Sequence, residues 1–170
     1  MRSWAVAAVA AGALVLTGCG GGSDPNLITQ SSMGPVRLGE PRSLVEADLG
    51  HGTVVRQSVP RYGDLAGWTL TRVRYPHRHL GVWYATKPGG KPVAVLLATA
   101  SPIYVTTDSG RVGDSVQQLR GLFNTHCQYG LCFDGLPLRS PAFVIDHGHA
   151  SAIYVTPRNE YPVRVWAADA

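Results

Sequence analysis

Charge is scarce in this chain. Asp, Glu, Lys and Arg make up 15% of its 170 residues against 45% apolar residues, and no block of five like charges occurs. Such a composition excludes a chain kept open by self-repulsion and predicts a folded domain. The formal net charge of +4 is too mild to argue for nucleic acid, because the basic residues are scattered among predicted strands and turns. The apolar run near the start is also too short for a permanent anchor. Trp4 to Leu16 is thirteen uncharged residues, whereas crossing a bilayer core of about 30 Å takes about 20. Cysteine is limited to three positions, Cys19, Cys127 and Cys132.

What the first residues do contain is the layout of a secretory leader: a basic Met1-Arg2, the apolar run, then the small residues Gly18 and Cys19. Leu16-Thr17-Gly18-Cys19 resembles the bacterial lipobox, Leu-x-Gly-Cys. The resemblance implies cleavage before Cys19 and acylation of its thiol and new amine. Each buried CH₂ of an acyl chain contributes about 0.8 kcal/mol, so two or three chains on one residue hold a domain to a bilayer without a spanning segment. The expected location is the cell membrane, lipid-anchored on its extracytoplasmic side.

Residues 1–18 are read as this leader and 19–33 as a lipidated, flexible tether, rich in Gly, Ser, Asn and Gln without periodicity. Once Cys19 is assigned to lipid, Cys127 and Cys132 remain as a C-x₄-C pair, which in an exported protein most simply closes a local disulfide. So short a loop contributes only about 2 kcal/mol in the chain-entropy model. A thiolate nucleophile at Cys127, beside His126, is disfavoured by the oxidising compartment and the second cysteine.

Two short helices are predicted. In the first, Pro41 suits an initial helical position, Leu44, Val45 and Leu49 form one stripe, and Gly50 supplies the stop. In the second, Asp114 is the expected N-cap with Gln117 three residues on, and Val116, Leu119, Leu122 and Phe123 make the apolar face. Arg37, Gly39 and Glu40 before the first match Arg111, Gly113 and Asp114 before the second, at an offset of 74. A second match, at an offset of 70, aligns residues 73–98 with 143–168 without a gap and contains eight identities, among them His77/His147, His79/His149 and Tyr84/Tyr154. Together they predict a duplication, 34–105 and 106–170, each a short helix followed by an antiparallel β-meander. The expected fold class is therefore α+β, a tandem duplication whose two sheets join and leave one face open. The strands fall at about 67–75, 79–86 and 92–99, then at about 141–146, 150–156 and 161–167, with a linking strand over Ile103 to Thr107.

A Gly-acidic helix start, a short amphipathic helix and a meander, duplicated behind a lipobox, resemble the β-lactamase-inhibitor-protein-like and BamE-like envelope modules, and lipoproteins of actinobacteria in particular. The resemblance spans residues 34–170. It implies two helix-plus-sheet units with one concave face that binds protein in the cell envelope. No inhibitory residue carries over, because no position matches a functional motif residue by residue.

Alternation then assigns the faces. Trp83 with Ala85, and Ile153 with Val155, are expected to close the core under the helices. Tyr84, Tyr154, Arg164 and Trp166 are expected on the open face as a partner-binding patch, since Tyr, Trp and Arg dominate interface hot spots. The two His-x-His pairs offer an alternative chemistry: in an extended segment residues i and i+2 face the same way, so His77/His79 and His147/His149 could each present two imidazoles to Zn²⁺ or Cu²⁺. Against this, each pair sits at a predicted bend and no third ligand is indicated. Gly113-Asp114-Ser115-Val116, with Asp146 and His149 later, resembles fragments of the Gly-Asp-Ser-Leu esterases. The spacing is wrong for that family, however, and Pro41 occupies the serine's place in the first copy. The expected function is a non-enzymatic protein-binding or envelope-maintenance module that needs no cofactor, with metal binding by the paired histidines as the alternative.

Overall fold

β-branched and aromatic residues dominate the middle of the chain, and they drive most of it into strands. The computed structural model describes residues 24–61, 65–128, 130–134 and 139–157; the expected leader, Cys19, Arg164, Trp166 and the last expected strand lie outside them. Eight strands form one antiparallel sheet: β4 (Thr53–Ser58), β5 (Thr69–Tyr75), β6 (Leu80–Thr86), β7 (Val93–Thr99), β9 (Thr125–Gln128), β10 (Leu131–Asp134), β11 (Arg139–Asp146) and β12 (His149–Val155). Their order is β4-β5-β6-β7-β12-β11-β10-β9. Four two-residue strands, β1 (Leu27–Ile28), β2 (Ser32–Met33), β3 (Val36–Arg37) and β8 (Val105–Thr106), form a second sheet in the order β3-β2-β1-β8, with β1 and β8 parallel. The helices are α1 (Arg42–Leu49) and α2 (Val116–Leu122), of eight and seven residues.

Both helices are pinned to the large sheet by the same local device. Gly39 (φ 82°) and Gly113 (φ 98°) adopt the left-handed backbone that favours glycine. That bend lets the following acidic side chain turn back. A Glu40 carboxylate oxygen accepts the Arg37 N–H at 2.9 Å, and an Asp114 carboxylate oxygen accepts the Arg111 N–H at 2.8 Å. The backbones then clasp one alanine each. Gly39 N–H donates to the Ala94 carbonyl and Ala94 N–H to that of Glu40; Gly113 N–H donates to Ala150 and Ala150 N–H to Asp114. α2 starts one residue later than the spacing suggests. Ser115 is its N-cap, in a reciprocal capping box with Gln118.

Two buried apolar clusters flank the large sheet: one lies between the helices and one face, and the other, with Leu70, Trp83, Leu96, Phe133 and Tyr154, lies on the opposite face. Val45 and Leu119 pack with Val73, Val82, Leu97, Ile153 and Val155. The segment read as a tether joins them: Ile28 and Met33 are fully buried, and burying side chains of this size stabilises by about 2 kcal/mol each. A flexible 19–33 segment is thus corrected for residues 27–33, where two strands replace it.

The α+β tandem repeat is also corrected: the described chain is predominantly β. Its helices are shorter than the roughly 12 residues at which an isolated helix becomes marginal in water, and they serve as short covers on a continuous sheet. Strands from the two halves hydrogen-bond directly, with Thr99, Ala98 and Leu97 of β7 opposite Ile153, Tyr154 and Val155 of β12. The expected boundary at residues 105/106 cuts through β8, which pairs with β1. The seventy-residue match equates β5 and β6 with β11 and β12, yet the former are second and third from one edge and the latter third and fourth from the other. Sequence similarity between two hairpins therefore does not correspond to equivalent places in the sheet.

Candidate functional site

One residue decides which side chains of β12 reach the face away from the helices. Val144 pairs with Ala152 and Ile145 with Ala150, so Ser151 is an extra residue, a β-bulge, on β12. Side chains alternate with a period of two, so the bulge inverts every later position on that strand. Ile153 and Val155 face the helices as the alternation predicts. The hairpin formed by β5 and β6 has no bulge, and there the assignment is reversed: Tyr84 is fully buried under α1, while Trp83 and Ala85 lie on the other face.

Tyr84 is therefore a core residue and not part of an open patch. Its hydroxyl lies 2.7 Å from that of Tyr75, and the Arg42 guanidinium stands 5.7 Å from its ring centroid. Burial pushes the ionisation of both phenols upward, and for Tyr84 the bond to Tyr75 adds to this. Tyr154 does reach the far face, but only 3% of it is exposed.

The far face carries a groove of about 960 Å³. Its origin is a row of registered residues with little side chain at the centre: Arg74 opposite Gly81, Gly81 opposite Ala98, Ala98 opposite Tyr154. Gly81 leaves room for a neighbour as well. A Cβ placed there would come within 3.3 Å of the Trp83 ring, so the glycine lets the indole lie back along the strand. Trp83 and Tyr154 form one wall, with ring centroids 6.2 Å apart, and the Arg72 guanidinium covers the indole at 4.7 Å. Burial raises the Tyr154 phenol's ionisation, opposed by the positive charge of Arg72, so it remains a neutral hydroxyl. The rim is Pro76 and His79 on one side, Ser101 and Pro102 on another, and Ser151 on a third. Of the expected patch, Tyr154 contributes to this groove and Tyr84 does not. Arg72, Arg74 and Trp83 were missed, although the alternation Leu70, Arg72, Arg74 along β5 places both arginines on one face.

The paired histidines are not brought together. His77 lies in a 3₁₀ turn, Pro76–Arg78, and His79 closes it with φ 51°. The extended backbone that would aim both imidazoles the same way is absent there. His147 (φ 47°) and Gly148 (φ 81°) form a two-residue hairpin turn instead. In that turn Asp146 Oδ1 lies 2.8 Å from His147 Nδ1, and His149 Nδ1 is 3.2 Å from the His147 carbonyl. Three strand steps of about 4.8 Å separate the two bends laterally, roughly 14 Å, which is too far for one shared ion with bonds near 2 Å. Among the described residues no three potential ligands gather.

Ser115 and His149 do lie on adjacent backbone, joined by an isolated bridge. The serine hydroxyl is nevertheless committed: it donates to Gln118 Oε1 at 2.9 Å and accepts the Gln118 N–H at 3.2 Å. Asp146 is paired with His147 and not with His149. A nucleophile, its base and the orienting carboxylate are not wired in sequence. Cys127 and Cys132 occupy directly opposed positions of β9 and β10, with Cα atoms 4.1 Å apart, and form a disulfide that clips the edge hairpin.

No family model, curated protein or solved structure matches the chain. No helix among the described residues is long and apolar enough to cross a membrane.

Proposed function

We propose that this chain is a lipid-anchored, extracytoplasmic, non-enzymatic module that binds a protein partner of the cell envelope in the groove on the far face of its large sheet. The observation that carries the reading is the trough itself: Gly81 and Ala98 at its floor, with Arg72, Trp83 and Tyr154 packed as a preformed wall. A rigid concavity presenting arginine costs little conformational entropy to dock against. The lipobox-like stretch Leu16 to Cys19 supports the anchor. The commitment of Ser115 to a helix cap supports the absence of acyl chemistry there.

The test is a photo-crosslinker at Ser151 on the groove rim, compared with one at Arg120 on α2, in intact cells of the source bacterium. A specific adduct at Ser151 with none at Arg120 is expected. Equal labelling at both positions would overturn the groove as the docking surface. Fatty-acid incorporation lost in Cys19→Ser is the matching check on the anchor.

A further inference from the structure

We infer that the turn between β5 and β6 and the loop after β7 dock on an anionic bilayer surface, a step that rests on the lipid-anchor reading above and fixes which end of the fold meets the membrane. Arg74, His77, Arg78 and His79 fall within six residues, and all four are exposed. Among the described residues no carboxylate lies within 4 Å of the Arg74 or Arg78 guanidinium. The loop after β7 is bonded to the same turn: the Thr99 hydroxyl donates to the His79 carbonyl at 2.9 Å, and the Tyr104 hydroxyl to the Arg78 carbonyl at 2.7 Å. That loop presents Ile103, which is 47% exposed. An apolar tip beside cations matches a surface of anionic headgroups with acyl carbons beneath them.

The anchor reaches this end of the fold first. Residues 24–26 enter beside Tyr104: the Asn26 carbonyl accepts the Val105 N–H at 3.0 Å, and Gly34 sits between the Pro25 carbonyl and the Tyr104 ring, where a Cβ would crowd both. Tyr104 in turn holds the Arg78 carbonyl. Cys19 stands five residues before Asp24, and covalent geometry limits five residues to at most about 18 Å whatever their conformation. Acyl chains on Cys19 therefore keep Asp24, and the basic turn close to it, within about two Debye lengths of the headgroups. The opposite turn, between β6 and β7, carries Lys87 and Lys91. It lies a seven-residue strand away, about 23 Å at 3.3 Å per residue, and Lys87 stands over the Trp68 ring at 4.7 Å. Two described carboxylates lie toward the docking end, and both are engaged locally: Asp24 Oδ1 accepts the Asn26 N–H at 2.9 Å, and Asp146 Oδ1 is 2.8 Å from His147 Nδ1.

The experiment places the full exported protein, isolated from the source bacterium, on vesicles of phosphatidylcholine alone or of phosphatidylcholine with phosphatidylglycerol, and reads amide hydrogen exchange over residues 76–79 and 101–104. Phosphatidylglycerol is expected to slow exchange in both segments, and the protection to fade as salt rises. In Arg78→Glu the protection should fall at least about fivefold. Ile103→Ser should also lower it, and Lys91→Glu, the same charge change at the opposite turn, should leave it unaltered, with thermal melts confirming that each variant is folded. Equal exchange on the two kinds of vesicle, protection unchanged in Arg78→Glu, or an equal loss in Lys91→Glu would each overturn the inference. The two readings fail separately. Acyl chains found on Cys19 by mass spectrometry, without protection by phosphatidylglycerol, overturn the docking face and leave the anchor standing. Protection that is lost in Arg78→Glu, in a chain that carries no acyl group, supports the docking face and overturns the anchor.

Discussion

Tyr75 and Tyr84 show how a single pair can hold a face of this sheet. Their hydroxyls meet at 2.7 Å under α1, in a core that leaves both rings essentially without solvent. A typical hydrogen bond contributes about 1 kcal/mol net, and an orphaned buried hydroxyl costs more than its removal. Tyr75→Phe and Tyr84→Phe are each expected to cost about 1–2 kcal/mol in urea denaturation, with the double variant costing less than the sum. The pH dependence has a definite sign. Both phenols hold their protons above the ordinary tyrosine range because burial disfavours the phenolate. An unfolded tyrosine ionises near pH 10, so above about that value the unfolded chain sheds protons that the fold retains, and stability falls as pH rises further. Urea midpoints measured across that range should decline, and less steeply in the double phenylalanine variant.

Ser115 illustrates a residue whose role is set by its immediate neighbours. A cap of this kind is worth about 1 kcal/mol, so Ser115→Ala should lower stability by that amount in a thermal melt. Hydrolysis of an activated ester by the wild-type chain, abolished in this variant, would instead establish the serine as a nucleophile.

At the scale of elements, the bulge at Ser151 has the largest consequence. Deleting Ser151 restores strict alternation and sends Ile153 and Val155 toward the groove and Tyr154 into the core. The expected outcome is a loss of several kcal/mol, read as a collapse of the melting temperature or failure to fold, whereas Ser151→Ala should be close to neutral because the hydroxyl is exposed. Other elements were legible to different degrees. Pro41 and Gly50 delimit α1 as the N-cap and C-cap residues, and five of the six meander strands appear within one or two residues of their expected limits. β4 escaped because all six of its residues are exposed, so it lacks the alternation that marks a half-buried strand. The β-branched run Thr53-Val54-Val55 was the available signal. β9 and β10 fall outside the expected strands, although a C-x₄-C pair with Gly130 (φ 76°) inside it matches a clipped hairpin.

For the whole molecule, the joining of residues 27–37 to the core matters most. β1 bridges β2 and β8, so it connects the chain's first described segment to the stretch that leads into α2. The Tyr104 hydroxyl, just before β8, donates to the Arg78 carbonyl at 2.7 Å and ties this small sheet to the end of the large one. Removing residues 24–33 uncovers that side of the core and deletes the buried Ile28 and Met33. It is expected to cost at least about 3 kcal/mol, measurable as a large drop in urea midpoint. An unaltered midpoint on removing 24–33 would show that the segment is a tether after all.

The residues alone determined where helices and most strands begin and end, because caps, turn glycines and apolar spacing act over a few neighbours. They also carried the signals that are purely local and chemical: the lipobox-like stretch, the cysteine pair and the Gly-acidic turns. Tertiary structure decided the rest. Whether two meanders stay apart or merge depends on hydrogen bonds between β7 and β12, strands far apart in the chain. Which face a side chain takes depends on a bulge that exists only against a partner strand. The groove is the product of both, since Arg74, Gly81, Ala98 and Tyr154 become neighbours through register across four strands, and no spacing along the sequence records that register.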